Sequence, residues 1–260
     1  MTSVRIEFHQ TIDSTQRRAR ELVERGDRRW DAVCAAHQTA GRGRQGASWH
    51  DAPGQSLLTS IILWNTPVPE PVGLVGLLAA LATAQVLEQR YPKLPRVQLK
   101  YPNDLVVHNR KLGGILAEIV DGVPIVGIGV NLRQTAFPPE LEGIALSVAQ
   151  AIGNSPAPPL LSRSGEEADS PPPLDGQTVQ GEAEHLIERI HANLTELWRL
   201  QPQQTHALWQ ARDCSAGRAY IIQDLPQQPI GIAIGIDEAF RLRLRLPDGT
   251  EHSTYYVSAV

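Results

Sequence analysis

Four short stretches hold residues whose types and spacing could do chemistry. Gly41-Arg42-Gly43-Arg44-Gln45-Gly46, followed by Ser48 and Trp49, interleaves glycines with two arginines. Glycines let backbone approach a ligand closely and expose amide donors. Guanidinium groups one residue apart suit carboxylate and phosphate oxygens, and Trp49 offers a flat surface on which a purine could stack. An ordinary surface turn has the same composition. Lys100-Tyr101-Pro102-Asn103-Asp104 reads as a turn at a strand end. Asp104 there is a candidate Mg2+ ligand, because that ion commonly takes one or two carboxylates and completes its shell with phosphate oxygens and water. A plain turn closed by an Asx hydrogen bond is the other reading. Arg110-Lys111-Leu112-Gly113-Gly114-Ile115 sets a lysine point charge beside paired glycines, as an anion site or an exposed hairpin would. Gly127-Ile128-Gly129-Val130-Asn131 puts glycines inside a strand, where they mark close approach of a ligand or another backbone. It lacks the strand–turn–helix context of a dinucleotide fingerprint.

These stretches need elements to position them. Asp13 and Gln16 have capping-box spacing ahead of an apolar face of Ala19, Leu22 and Val23, and Gly26 ends that helix. Arg17 with Glu21, and Arg20 with Glu24, form i,i+4 pairs on its wet side, so the arginines of 17–29 read as a solvated face. Strands are expected at 32–36, 57–63, 96–100, 105–108, 115–120 and 125–132, with a turn at Asn109–Arg110. Residues 71–90 are apolar nearly all round, as in a buried helix, and a second helix is expected at about 180–200. The Pro/Ser-rich stretch 154–177 reads as a flexible insertion. After Ala211 the pattern is all-β, with runs at 218–223, 230–236, 240–246 and 251–257 and a turn at Pro247-Asp248-Gly249. In Arg241–Leu246 the arginines should face out and the leucines in. Domains at 1–211 and 212–260 follow.

The chain has 260 residues, 42% hydrophobic and 20% charged, with a formal net charge of −4. That composition suits a soluble globular protein and points to neither nucleic acid nor membrane as a partner. The eight histidines and two cysteines show no metal-ligand spacing and no disulfide framework.

In this order the motifs resemble the catalytic domain of biotin protein ligases. Asp13-Ser14-Thr15, Gln38-Thr39-Ala40-Gly41-Arg42-Gly43-Arg44 with Trp49, Lys100–Asp104, Arg110–Leu116 and Gly127–Asn131 match that family's blocks, with Tyr101 where a tryptophan is usual. The resemblance implies an α+β fold: a mixed-sheet catalytic domain with a small C-terminal SH3-like β-barrel. It implies ATP-dependent activation of biotin to biotinyl-5′-AMP, then transfer to a lysine of a biotin carboxyl carrier domain of acetyl-CoA carboxylase or a related carboxylase. Lys111, Arg42 and Arg44 would be catalytic. Ser14, Thr15, Gln38, Arg42 and the glycines Gly41 and Gly43 would surround biotin. Trp49 and Asn131 would meet adenine, Asn103 and Asp104 would sit by phosphate, ribose or metal, with Mg2+ at Asp104, and Gly113, Gly114 and Gly129 would also belong to the binding site. A short cytoplasmic form is expected, without an N-terminal DNA-binding domain, as a monomer or homodimer. The alternatives are a lipoate- or octanoate-attaching ligase of the same fold and a non-catalytic biotin sensor.

Overall fold

The computed structural model describes residues 3–153 and 176–260. Strands β1 (Ile6–His9), β2 (Ala32–Ala35), β3 (Ser56–Ile62), β4 (Gln98–Lys100), β5 (Asp104–Val107), β6 (Arg110–Val120) and β7 (Val123–Asn131) form a seven-stranded sheet in the order β1-β2-β3-β7-β6-β5-β4. Only β1 and β2 run parallel, so the sheet is mixed.

Period-two alternation decides what each face carries. Val126, Ile128 and Val130 of β7 join the main core with Leu57 and Ile61 of β3. That face is covered by helix α2 (Leu74–Arg90) and by α4 (Gly176–Leu197), which packs on α2. Helix α2 is buried on all sides, from Val75 to Leu87, and each leucine or valine taken from water there contributes about 1.5–3 kcal/mol. The opposite face takes α1 (Thr15–Glu24), whose Ala19, Leu22 and Val23 pack on Val33, Ile62 and Ile125. By the same alternation, Gly127 and Gly129 open toward that second face. Among the described residues no helix is long and apolar enough to cross a membrane.

The start of α1 differs from the expected box. Its cap is Ser14, whose Oγ accepts from Arg17 N. Asp13 lies one residue outside, accepting from Ser14 N and pairing with Arg17. Gln16 turns inward and is buried. Arg17 therefore does not pair with Glu21, which Arg18 takes at 3.2 Å, while the expected Arg20–Glu24 pair stands at 3.8 Å. The β5–β6 turn falls on His108–Asn109, one residue early, because both take the positive φ that a two-residue hairpin turn demands.

Strands β8 (Ala219–Ile222), β9 (Ile230–Ile236), β10 (Leu242–Arg245), β11 (Glu251–Thr254) and β12 (Val257–Ala259) form an antiparallel sheet in the order β11-β10-β9-β8-β12. The run expected at 251–257 is two strands, because the chain leaves β10 after Thr254 and pairs Val257 with Ile222 of β8. Leu242 and Leu244 are buried while Arg243 and Arg245 reach out to Glu251, as the alternation required. Helix α3 (Val148–Ala151) ends just before the 154–177 stretch; the short helix α5 (Pro202–Gln210) was not anticipated, and neither was β1. Of the stretch 154–177, only the last two residues are described, as the first of α4; the expected insertion lies otherwise outside the described residues.

Candidate active site

The Gly/Arg loop is folded back on itself. Trp49 N donates to Gly41 O at 3.0 Å and Gly43 N to Ala47 O at 2.7 Å, with a tight turn at Arg44–Gly46. Gln45 (φ +54°) and Gly46 (φ +80°) both take left-handed conformations at its tip. Its base is tied by His37 Nδ1 to the buried Asp51 carboxylate at 2.9 Å. The loop overhangs a cavity of about 250 Å³ on the α1 face of the large sheet.

Most of the expected site residues meet there. Ser14, Thr15, Gln38, Arg42, Gly43, Arg44, Trp49, Asn103, Asp104, Lys111, Gly114 and Gly129 all line the cavity. Lys111 Nζ lies 2.6 Å from Asp104 Oδ1. Arg44 is partly buried near Tyr101 and Asp104; loss of water draws its guanidinium below the ordinary value, and the two neighbours act the other way. A guanidinium remains charged under such a shift. Elsewhere in the lining, Thr15 N donates to Gln38 Oε1 at 2.7 Å and Thr15 Oγ1 donates to the same oxygen at 3.1 Å. The cavity thus has a cationic end at Lys111, Asp104 and Arg44, and Thr15 and Gln38 add a neutral hydrogen-bonded pair to its wall.

Three expected residues stand outside the lining. Asn131 is buried, with Nδ2 donating to Leu146 O at 3.2 Å and Oδ1 accepting from Gln134 Nε2. A Cβ at Gly41 would lie 2.9 Å from Trp49 O, and one at Gly113 would lie 2.6 Å from Gly129 O. These glycines serve backbone contact in the fold. Asn103 lines the cavity but spends its Nδ2 on Ile115 O at 2.9 Å, clamping the 101–104 turn to β6. Tyr101 is buried, its phenol pushed well up by desolvation, edge-on to Trp209 with centroids 6.1 Å apart.

Sequence reasoning missed Gln16, Thr59, Ser60, Ser258 and Ala259, which also line the cavity. Adjacent polar residues inside the buried run Leu57–Ile62 were a signal for Thr59 and Ser60; nothing local marks Ser258. Among the described residues no three His, Cys, Asp or Glu side chains cluster as metal ligands. Cys34 is buried in the core with its thiol pushed up to about 12 by desolvation, so it is no nucleophile. Arginine and lysine converging on one cleft suit charge stabilisation of a polyanion during group transfer.

The model of the biotin/lipoate A/B protein ligase family matches residues 8–134. The biotin–[acetyl-CoA-carboxylase] ligase of Mycobacterium tuberculosis is 30% identical over 216 residues, covering 82% of this chain and 72% of that protein. The bifunctional ligase/repressor BirA of Bacillus subtilis is 36% identical over 154 residues, covering 56% of this chain and only 46% of that protein. The fold is shared with the biotin protein ligase of Aquifex aeolicus solved with biotin and ATP (TM-score 0.69, 22% identity, 98% of this chain and 97% of that one). It is also shared with a Leishmania major biotin protein ligase solved with biotinyl-5-AMP (TM-score 0.61, 20% identity, 96% and 98% covered).

Proposed function

The chain belongs to the biotin/lipoate A/B protein ligase family, and from that premise we propose that it activates biotin with ATP and attaches it to a lysine of a biotin carboxyl carrier domain. The observation that carries this reading is a single cavity whose lining joins two kinds of group. Arg44, Lys111 and Asp104 form its cationic part and Ser14, Thr15 and Gln38 its neutral part, on a sheet face cleared by glycines.

In the first step an oxygen of the biotin carboxylate attacks the α-phosphorus of ATP. The bond from that phosphorus to the bridging oxygen breaks, and diphosphate leaves. Bringing a carboxylate onto a polyanion is opposed by charge repulsion, and Lys111, Arg44 and Arg42 offset it. Such transfers ask little covalent help of the protein, so positioning and charge dominate. Asp104 holds the Lys111 ammonium at the cationic end before substrate arrives. In the second step the acceptor amine attacks the acyl carbon, AMP leaves with the anhydride oxygen, and the amine loses a proton. The glycine-rich loop over the cavity keeps water from the mixed anhydride.

A single carboxylate, Asp104, fits a Mg2+ ion that arrives on the ATP phosphates better than a resident metal. The ion would supply further charge neutralisation at the phosphates. Trp49 supports the adenine reading through its half-buried ring, which lies flat against Gly129 and beside Gly114. Asn131, with both ends of its amide engaged, reads as a support behind that wall. The sequence break at Ala211, after which all strands of the second sheet follow, supports a catalytic unit at 1–211 and a small barrel-like unit at 212–260. A cytoplasmic protein acting as monomer or homodimer accords with this role.

The test is a transfer assay with ATP, Mg2+, biotin and a carrier domain, read as a biotin-sized mass gain on one lysine. Lys111→Ala should slow labelling by about 10²–10³-fold. Labelling with lipoate and not biotin would assign the chain to the other branch of the family. Biotin binding with no transfer would make it a sensor.

A further inference from the structure

Beneath the Thr15–Gln38 contact the hydrogen bonding continues into the protein. Thr15 Oγ1 lies 3.0 Å from Ser60 Oγ, and Ser60 Oγ lies 2.9 Å from the Gln16 carboxamide. Gln38, Thr15, Ser60 and Gln16 therefore form one chain along the cavity wall, whose far members Ser60 and Gln16 are buried behind Thr15 while still reaching the lining. Thr15, Ser60 and Gln16 are buried, Ser60 completely. The chain joins residues up to 45 positions apart, and it exists because Gly127 leaves room: a Cβ there would lie 2.6 Å from Gln16 Oε1.

Proton counting fixes its direction. The chain has three side-chain contacts, but Thr15 and Ser60 own one hydroxyl proton each. With Gln16 Oε1 facing Ser60, one contact lacks a proton and Gln16 Nε2 is buried with no partner among the described residues. Turned end for end, the carboxamide donates from Nε2 to Ser60, Ser60 donates to Thr15, and Thr15 donates to Gln38 Oε1. Each contact then carries one proton, and the amide orientation is set by the network. Gln38 Oε1 is held twice by Thr15, which leaves Nε2 as the end that Gln38 offers to a ligand.

We infer that Gln16 and Ser60 are positioning residues: through Thr15 they fix the Gln38 carboxamide so that the pocket demands a ligand oxygen that accepts from Gln38 Nε2, as a cyclic urea carbonyl does. The inference rests on the biotin reading above and adds to it the source of selectivity. A dithiolane or alkyl acid has no acceptor to place there, and an unmet buried donor is costly. In the low dielectric of the interior the links reinforce one another.

The experiment measures the biotin dissociation constant by calorimetry without ATP, then steady-state kinetics, for wild type, Ser60→Ala, Gln16→Met and the double variant, with Tm alongside. Each single change should weaken biotin binding about tenfold, the effect of leaving one link of a buried network unpaired. The double variant should be no more than about twofold weaker than the worse single, since both act through one chain. KM for biotin should rise in step with the dissociation constant, while kcat at saturating biotin falls by less than the affinity does, a split that a loss of folding would not give. Biotin affinity unchanged in both single variants would overturn the inference. So would additive losses, or a uniform fall in affinity, kcat and Tm, which marks a role in folding alone. Wild type failing to bind biotin at all sinks the ligase reading itself, before any variant is compared.

Discussion

Trp49 and Lys111 owe their places to side chains that are missing opposite them. A Cβ at Gly129 would stand 2.8 Å from two carbons of the Trp49 ring, and one at Gly114 would stand 3.4 Å from Lys111 Nζ. The Trp49 ring cannot bend away as a lysine can, and its backbone is pinned to Gly41 O. Gly129→Ala should therefore push the indole off the sheet, raising KM for ATP by about tenfold, since a base–aromatic stack contributes about 1–3 kcal/mol. Biotin affinity should change by less than the KM for ATP does, because Gln38 is held by Thr15 through bonds that Gly129 does not touch. An unchanged ATP KM would remove Trp49 from the nucleotide wall. At this scale the sequence was most legible where charge and glycine recur within a few positions, as at 41–49 and 110–115. It was least legible where a site residue works through distant partners. Gln16 read as a capping residue because a spacing of three says nothing about Ser60, 44 positions on. Gly41, Gly113 and Asn131 each make a backbone contact that the sequence does not show, because glycine for close approach looks the same whichever atom approaches.

Among the elements, one polar joint outside the cavity links α2 to the chain that leaves α5. Arg212 donates to both Glu88 oxygens, at 2.6 and 2.8 Å, and Val97 N donates to Glu88 Oε1 at 2.7 Å just before β4. Burial raises the Glu88 carboxyl, but the bonds from Arg212 and Val97 outweigh it and hold it below its ordinary 4.5. The folded state thus binds this proton less readily than the unfolded one. The joint's contribution is complete above pH 4.5 and is lost as pH falls through the lowered folded value. Glu88→Gln should cost about 1–3 kcal/mol at neutral pH, as expected for a charge-assisted pair at a partly buried site. The gap in Tm between wild type and variant should close on acidification. A gap that persists at pH 3 would show that packing, and not charge, is at stake. Elements of this kind were legible where periodicity is strong: α2 and β3 are apolar throughout, and β10 alternates. They were missed where stability comes from partners far along the chain. Strand β1 is four half-buried residues that make sense only beside β2. Helix α5 is nine residues of mixed polarity fixed by its buried Trp209. The run 251–257 shows no break in sequence because the change is one of partner and not of propensity.

For the molecule as a whole, the two sheets meet at the turn that presents Asp104. Leu99 N donates to Arg212 O and Cys214 N to Leu99 O, at 2.8 and 2.9 Å. Tyr101 N donates to Ser215 Oγ at 2.7 Å, and Tyr220 of β8 donates from its hydroxyl to Tyr101 O at 3.1 Å. Both backbone groups of Tyr101 are thus satisfied by the C-terminal sheet and the residues leading into it. Those contacts lie three residues from the carboxylate that holds Lys111, and Ser258 and Ala259 of β12 reach the cavity wall as well. The small sheet is therefore part of what places the cationic end. Ser215→Ala strands a buried amide, and at about 1–3 kcal/mol it should lower Tm by several degrees. It should also lower kcat by about tenfold, because catalysis by fixed charges loses rate steeply when the charges are misplaced by fractions of an ångström. Tyr220→Phe, which removes a hydroxyl bond and keeps the ring, should move both quantities in the same direction and by less. Were Ser215→Ala to lose stability while kcat and both KM values held, the C-terminal sheet would be a prop that the chemistry does not feel, and the 101–104 turn would be set by its clamp to β6 through Asn103 alone.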